Sequence, residues 1–288
     1  MTSKTKLDDS IPTKQNISIP FSPLLFALAI VLLVVVSIYT KAALDPILEE
    51  AGLSSFRAKH TARAFVNFSI FFGAVWMIKK LSLTQLAGVG DYPFVRKYLL
   101  LAPLLLILMS ASNLFELDYA TVNFFDLGLL FVSSLSIGLF EEFVMLGLLQ
   151  SYFLKCYWLK KNGIWLSVIF TCLMFGLLHF VTFSEGLVEE VIQVTIAAVL
   201  GLMFGTLLLR TNRLLPIAII HGLFDFFSLL DEFKPPVAEV LTAVKADRTL
   251  IDNLLSVAIL VAPMLIFSLI QLRKVSPQDV GEKAVTIH

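Results

Sequence analysis

Eight stretches of this chain are apolar over about the length, roughly 17–25 residues, that a helix needs to cross a bilayer. They are Phe21–Thr40, Ala62–Ile78, Tyr98–Phe115, Leu127–Leu154, Ile164–Phe183, Val191–Leu209, Leu214–Leu230 and Leu254–Leu272. Backbone inside hydrocarbon must satisfy its own hydrogen bonds, so spanning segments are helices or closed barrels. Barrel strands alternate in polarity over about ten residues, and these runs do not. The pattern predicts an all-α integral membrane protein, a bundle of about eight transmembrane helices. Composition agrees, since only 15% of the 288 residues are charged, against roughly a quarter in soluble domains. The 22 basic and 22 acidic residues cancel, which leaves no basic field to hold nucleic acid. Two cysteines, Cys156 and Cys172, are too few for a disulfide framework.

The runs divide the chain into four parts. Residues 1–20 form a polar N-terminal tail, 21–115 the first three helices, 121–272 a core of helices four to eight, and 273–288 a polar C-terminal tail. Placing the N-terminus in the cytoplasm puts 15 of the 22 Lys and Arg on the cytoplasmic side, as the positive-inside rule requires. A multi-pass protein of the cell membrane with both termini cytoplasmic is expected. The first run is longer than a signal-peptide core and lacks a small-residue cleavage site, so it reads as an anchor. Asp45-Pro46 looks like a helix start, and His60 falls between spans. Val237, Val240, Leu241 and Val244 recur at helical spacing after Pro235-Pro236, which suggests a short surface helix.

The informative residues are the polar ones at membrane depth. Among the acidic residues, Glu141, Glu142 and Asp225 sit well inside the expected spans, and among the histidines His179 and His221 do. A charge at the bilayer centre costs upward of about 2.5–3.5 kcal/mol, so such residues normally face the bundle interior and mark a functional path. Their local sequences are Glu141-Glu142-Phe143 in helix four, Phe175-Gly176-Leu177-Leu178-His179 in helix five and His221-Gly222-Leu223-Phe224-Asp225 in helix seven. His221 and Asp225, four apart, share a helix face, and a carboxylate there would fix the imidazole tautomer. Phe175 lies one turn below His179 and would wall the site. Glu141 and Glu142 point about 100° apart, so they have different tasks. Two histidines and a carboxylate, as in Glu141, His179 and His221, match the ligand inventory of zinc or another divalent metal. The same set serves a metal-free acid–base reaction equally well.

The order EE, then FxxxH, then HxxxD, each within a membrane helix, resembles the CPBP family of intramembrane proteases. That family includes the type II CAAX prenyl endopeptidases and bacterial relatives linked to bacteriocin processing and self-immunity. The resemblance implies an intramembrane endopeptidase acting on a membrane-associated or prenylated protein or peptide within the lipid bilayer. It implies that Glu141 activates the attacking water and that His179 positions that water or a metal. His221 and Asp225 would bind the metal or stabilise the oxyanion. The family's first motif is usually EExxxR, and its Arg position here is Leu146. An Arg there would share a face with Glu142 and pair with it. Two other readings stay open: a catalytically inactive relative that binds a membrane partner or confers immunity, and an ion-coupled transporter.

Overall fold

Capping side chains fix where the long helices begin. In the computed structural model, which describes residues 20–117, 119, 122–182, 187–233 and 250–285, Ser22 caps α1 (Pro23–Glu50) by accepting from the Leu25 N–H. Ser54 does the same for α2 (Ser55–Lys80) through Arg57 N–H. Asn123 caps α4 (Phe124–Glu142) through Phe125 and Asp126. Each cap satisfies donors that the first helical turn would otherwise leave unpaired. Two local expectations fail. Pro46 lies inside α1 and does not start a new helix, because extending an existing helix costs less than nucleating another. His60 lies in α2 and is fully buried; Arg57, Lys59 and Arg63 lower the local hydropathy without breaking the helix.

The remaining helices are α3 (Leu101–Ser110), α5 (Ser151–Tyr157), α6 (Gly163–Leu178), α7 (Leu187–Thr211), α8 (Leu215–Leu229), α9 (Leu250–Arg273) and α10 (Pro277–Val285). The architecture is an all-α membrane bundle. Among the described residues six helical stretches are long and apolar enough to cross a membrane, and α9 with α10 makes a seventh if that pair, bent by 72°, counts as one span. The seventh expected span, Leu214–Leu230, is only the 15-residue α8. At 1.5 Å per residue it reaches roughly 22 Å, short of the ~30 Å hydrocarbon core. Pro216 lies in its first turn, and beyond Leu229 the chain tightens into a 3₁₀ turn at Leu230–Phe233. Residues 277–285, expected as polar tail, form α10, whose Gly281 packs on Trp158. The surface helix expected from Val237, Val240, Leu241 and Val244 lies outside the described residues, as do residues 1–19.

The centre of the bundle is the stretch that follows Glu142. Phe143–Gln150 is a π-helix with every residue buried, and wide turns of this kind are frequent at functional sites. The Ser151 hydroxyl donates to the Leu146 carbonyl, and the Gln150 amide donates to the Gly205 carbonyl of α7. Around this axis α4 packs on α8 and α2, α6 on α7, α1 on α2 and α9 on α7. The α4–α8 contact is a close one. A Cβ on Gly138 would lie 2.3 Å from the Ala218 carbonyl oxygen, and one on Gly222 would lie 2.8 Å from the Leu135 Cα. Only glycine at both positions lets these two backbones touch.

Candidate active site

That close approach sets the first part of the site. Glu142 at the end of α4 and His221 in α8 are both buried, and His221 Nδ1 lies 2.7 Å from Glu142 Oε1. The expectation that Asp225 would hold the imidazole is corrected here. Asp225 Oδ2 stands 3.8 Å from His221 Nε2, beyond hydrogen-bond reach. Asp225 shares the helix of His221, whereas Glu142 reaches the ring from α4 across the interface. Glu141 Oε2 lies 3.9 Å from the same Nε2. One imidazole thus has a carboxylate bonded behind it and two more carboxylates in front. The buried Oδ2 of Asp225 makes no hydrogen bond among the described residues.

The second part comes from the end of α6. After Leu178 the helix tightens into a 3₁₀ turn, His179–Thr182. His179 Nδ1 lies 2.9 Å from the Phe175 carbonyl oxygen. An oxygen acceptor there requires Nδ1–H, so neutral His179 carries its acceptor lone pair on Nε2. Phe175 stands edge-on to both imidazoles, 5.2 Å from His179 and 6.1 Å from His221 between centroids. Phe204 of α7 lies 5.4 Å from the His221 ring, tilted against it. The aromatic wall expected of Phe175 is therefore present and serves both rings.

Two cavities meet at this point. One, of about 240 Å³, is mainly apolar and lined by Val34, Ile38, Phe140, Val144 and Phe175 among others. The other, of about 320 Å³, is the more polar of the two and bears Arg63, Asn67, His221 and Asp225. It reaches Ser228 and Leu229 at the end of α8. Lys41, Glu141 and His179 line both. Four of the five expected residues therefore border the polar cavity, and the fifth, Glu142, lies behind His221. Sequence reasoning missed Lys41, Arg63 and Asn67. Lys41 directly follows an apolar run and Arg63 opens one, where cations ordinarily reach out to the headgroups, so their inward direction left no local signal.

Glu141, His179 and His221 are not gathered into a three-ligand cluster. Among the described residues no group of three or more His, Cys, Asp or Glu side chains is gathered to hold an ion. His221 spends Nδ1 on Glu142, which leaves Nε2 as its one ligating nitrogen. The arrangement offers a partly exposed carboxylate, Glu141, beside two imidazoles of fixed orientation. That is the equipment of general acid–base catalysis.

Residues 123–227 match the family model of the type II CAAX prenyl endopeptidase Rce1-like proteins. The matched stretch runs from the cap of α4 through α8 and holds Glu141, Glu142, His179, His221 and Asp225. A search of curated proteins gave no match. A search of solved structures gave none either. Over this stretch, about a third of the chain, the protein is similar to the CPBP/CAAX family of membrane proteases.

Proposed function

We propose that the protein is an intramembrane endopeptidase that hydrolyses a peptide bond of a membrane-associated or prenylated protein or peptide with a water activated by Glu141. The observation that carries this reading is the position of Glu141 and His179 at the junction of the two cavities. A substrate crossing that junction can lay an apolar group in one cavity and polar backbone in the other, with its scissile carbonyl between them. Glu141 accepts a proton from water, and the oxygen attacks the carbonyl carbon. His179 Nε2 accepts from the same water and orients it. His221, held from behind by Glu142, faces the site with Nε2. When the tetrahedral intermediate collapses, the carbon–nitrogen bond breaks and the leaving amine takes the proton from Glu141. General-base assistance of this kind is worth about 10²–10⁴-fold. The distribution of Lys and Arg supports a cell-membrane protein with both termini cytoplasmic.

The test compares protein termini in membranes from cells expressing wild type or Glu141→Ala at matched levels. Peptide ends that appear only with wild type are expected, and they would identify the substrate as well. Identical termini, with the wild-type phenotype retained by the variant, would point to a non-catalytic relative that binds a membrane partner. Leu146 would then mark the lost chemistry.

A further inference from the structure

Of the three side chains common to both cavities, Glu141 and His179 have roles in the reading above and Lys41 has none. Lys41 comes from α1, outside the matched stretch 123–227. A lysine within so apolar a helix normally reaches to an interface or faces the protein interior. Lys41 takes the second course. Its Nζ lies 3.4 Å from Asn67 Oδ1 and 5.5 Å from the centre of the Phe140 ring. Asn67 is itself buried and fixed, donating from Nδ2 to Ser136 Oγ at 3.3 Å. Ser136 Oγ in turn donates to the Ser133 carbonyl at 2.6 Å. Four side chains from three helices thus deliver one ammonium to the cavity junction. A lysine ammonium has three donors, and the Asn67 contact uses one. It makes no ion pair with Glu141 among the described residues, so the two charges face the same space without cancelling at contact. The π-helix adds no cation: Leu146 is buried beside Gly205.

We propose that Lys41 is the catalytic cation of the site, donating through Nζ to the oxygen of the scissile carbonyl as that oxygen becomes an anion. The proposal rests on the endopeptidase reading. As the water oxygen forms its bond to carbon, the carbonyl π pair moves onto oxygen and the water proton goes to Glu141. The alkoxide then lies against Nζ–H. Its electron pair re-forms the carbonyl as the carbon–nitrogen bond breaks, and the amine leaves with the proton held by Glu141. One water is consumed, and Lys41 ends in the state in which it began. Arg63 lines the polar cavity and not the apolar one, so it is given no part in this step.

The test uses full-length protein in membranes and measures the initial rate at which wild type generates its new peptide ends. Removing one preorganised oxyanion donor typically costs 10²–10³-fold, so Lys41→Met is expected to lose about 100-fold or more. Lys41→Arg is expected to keep at least about a tenth of the rate, and added ethylammonium is expected to restore part of the rate of Lys41→Ala. A Lys41→Met rate within about threefold of wild type would overturn the proposal. So would a loss that neither Lys41→Arg nor ethylammonium recovers, because the lysine would then be a packing element. Glu141→Gln is run alongside. A dead Glu141→Gln with an active Lys41→Met removes only the role of Lys41, whereas equal cleavage by wild type and Glu141→Gln removes the endopeptidase reading and the Lys41 role together.

Discussion

His221 Nδ1 meets Glu142 Oε1 at 2.7 Å across the α4–α8 interface, a closer contact than His221 makes with Asp225 on its own helix. The bond joins two buried groups, and each would be left unsatisfied without the other. It gives the paired glutamates separate tasks. Glu142 faces inward and fixes a ring, while Glu141 faces the cavities. It also supplies the partner that position 146 does not, since Leu146 is buried and apolar.

Glu142→Ala should therefore lower the cleavage rate without abolishing it. Groups that orient a functional histidine typically contribute 10–100-fold, and a loss in that range is expected. Glu142→Gln keeps an acceptor oxygen for His221 and should fall less. Initial rates of both variants at equal expression check this. A Glu142→Gln rate below that of Glu142→Ala would contradict the orienting role.

The glycines that permit this bond can be tested without touching it. Gly138→Ala places a methyl 2.3 Å from the Ala218 carbonyl oxygen, with backbone on the far side. The helices must separate, at about 1–3 kcal/mol for overpacking. Gly128→Ala, in the same helix with nothing within 4 Å, should be neutral or slightly stabilising, because alanine is the better helix former. Thermal melting in detergent should rank Gly128→Ala at or above wild type and Gly138→Ala below it, with cleavage falling in Gly138→Ala alone.

The membrane bundle was legible because hydropathy is a local property, summed along one helix. So were the polar residues of the matched domain, since a carboxylate or imidazole at membrane depth is conspicuous by itself. What was not legible depends on neighbours far away in sequence. The partner of His221 was misassigned to Asp225 because the i,i+4 rule speaks only for one helix, and the winning contact comes from α4, 79 residues earlier. Lys41 and Arg63 were passed over because their sequence context is that of interfacial cations. The π-helix was hidden because Phe143–Leu149 is apolar on every side, so its periodicity distinguishes no helix type. His60 was placed in a loop because its neighbours are charged, yet it is fully buried, and its partners Ser133 and Glu232 lie on other elements.

That last group gives the fold a pH dependence. Glu232 sits in the 3₁₀ turn after α8. Burial alone would raise its pKa, but hydrogen bonds from His60 and Lys59, and their charges, hold it at about 2. The ordinary value is 4.5, so between those limits the unfolded chain binds more protons than the folded one. The contribution to stability is then full above the ordinary value and lost as pH falls toward the folded one. Wild type should lose thermal stability relative to Glu232→Gln across this acid window. Parallel melting curves for the two proteins from neutral pH downward would remove Glu232 as the cause.

Glu141 and His179 reach the same junction from different helices, and the proposed reaction has them act on one water. Each single variant, Glu141→Gln or His179→Ala, should cost about 10²-fold or more. Residues that act as a unit are strongly non-additive. Once either is gone the water is no longer both oriented and deprotonated, so the second removal has little left to destroy. The double variant should lie within about threefold of the slower single. Initial rates of the four proteins decide it. A double variant slowed by the product of the two single losses would mean that the residues contribute independently, and His179 would then serve the substrate and not the water.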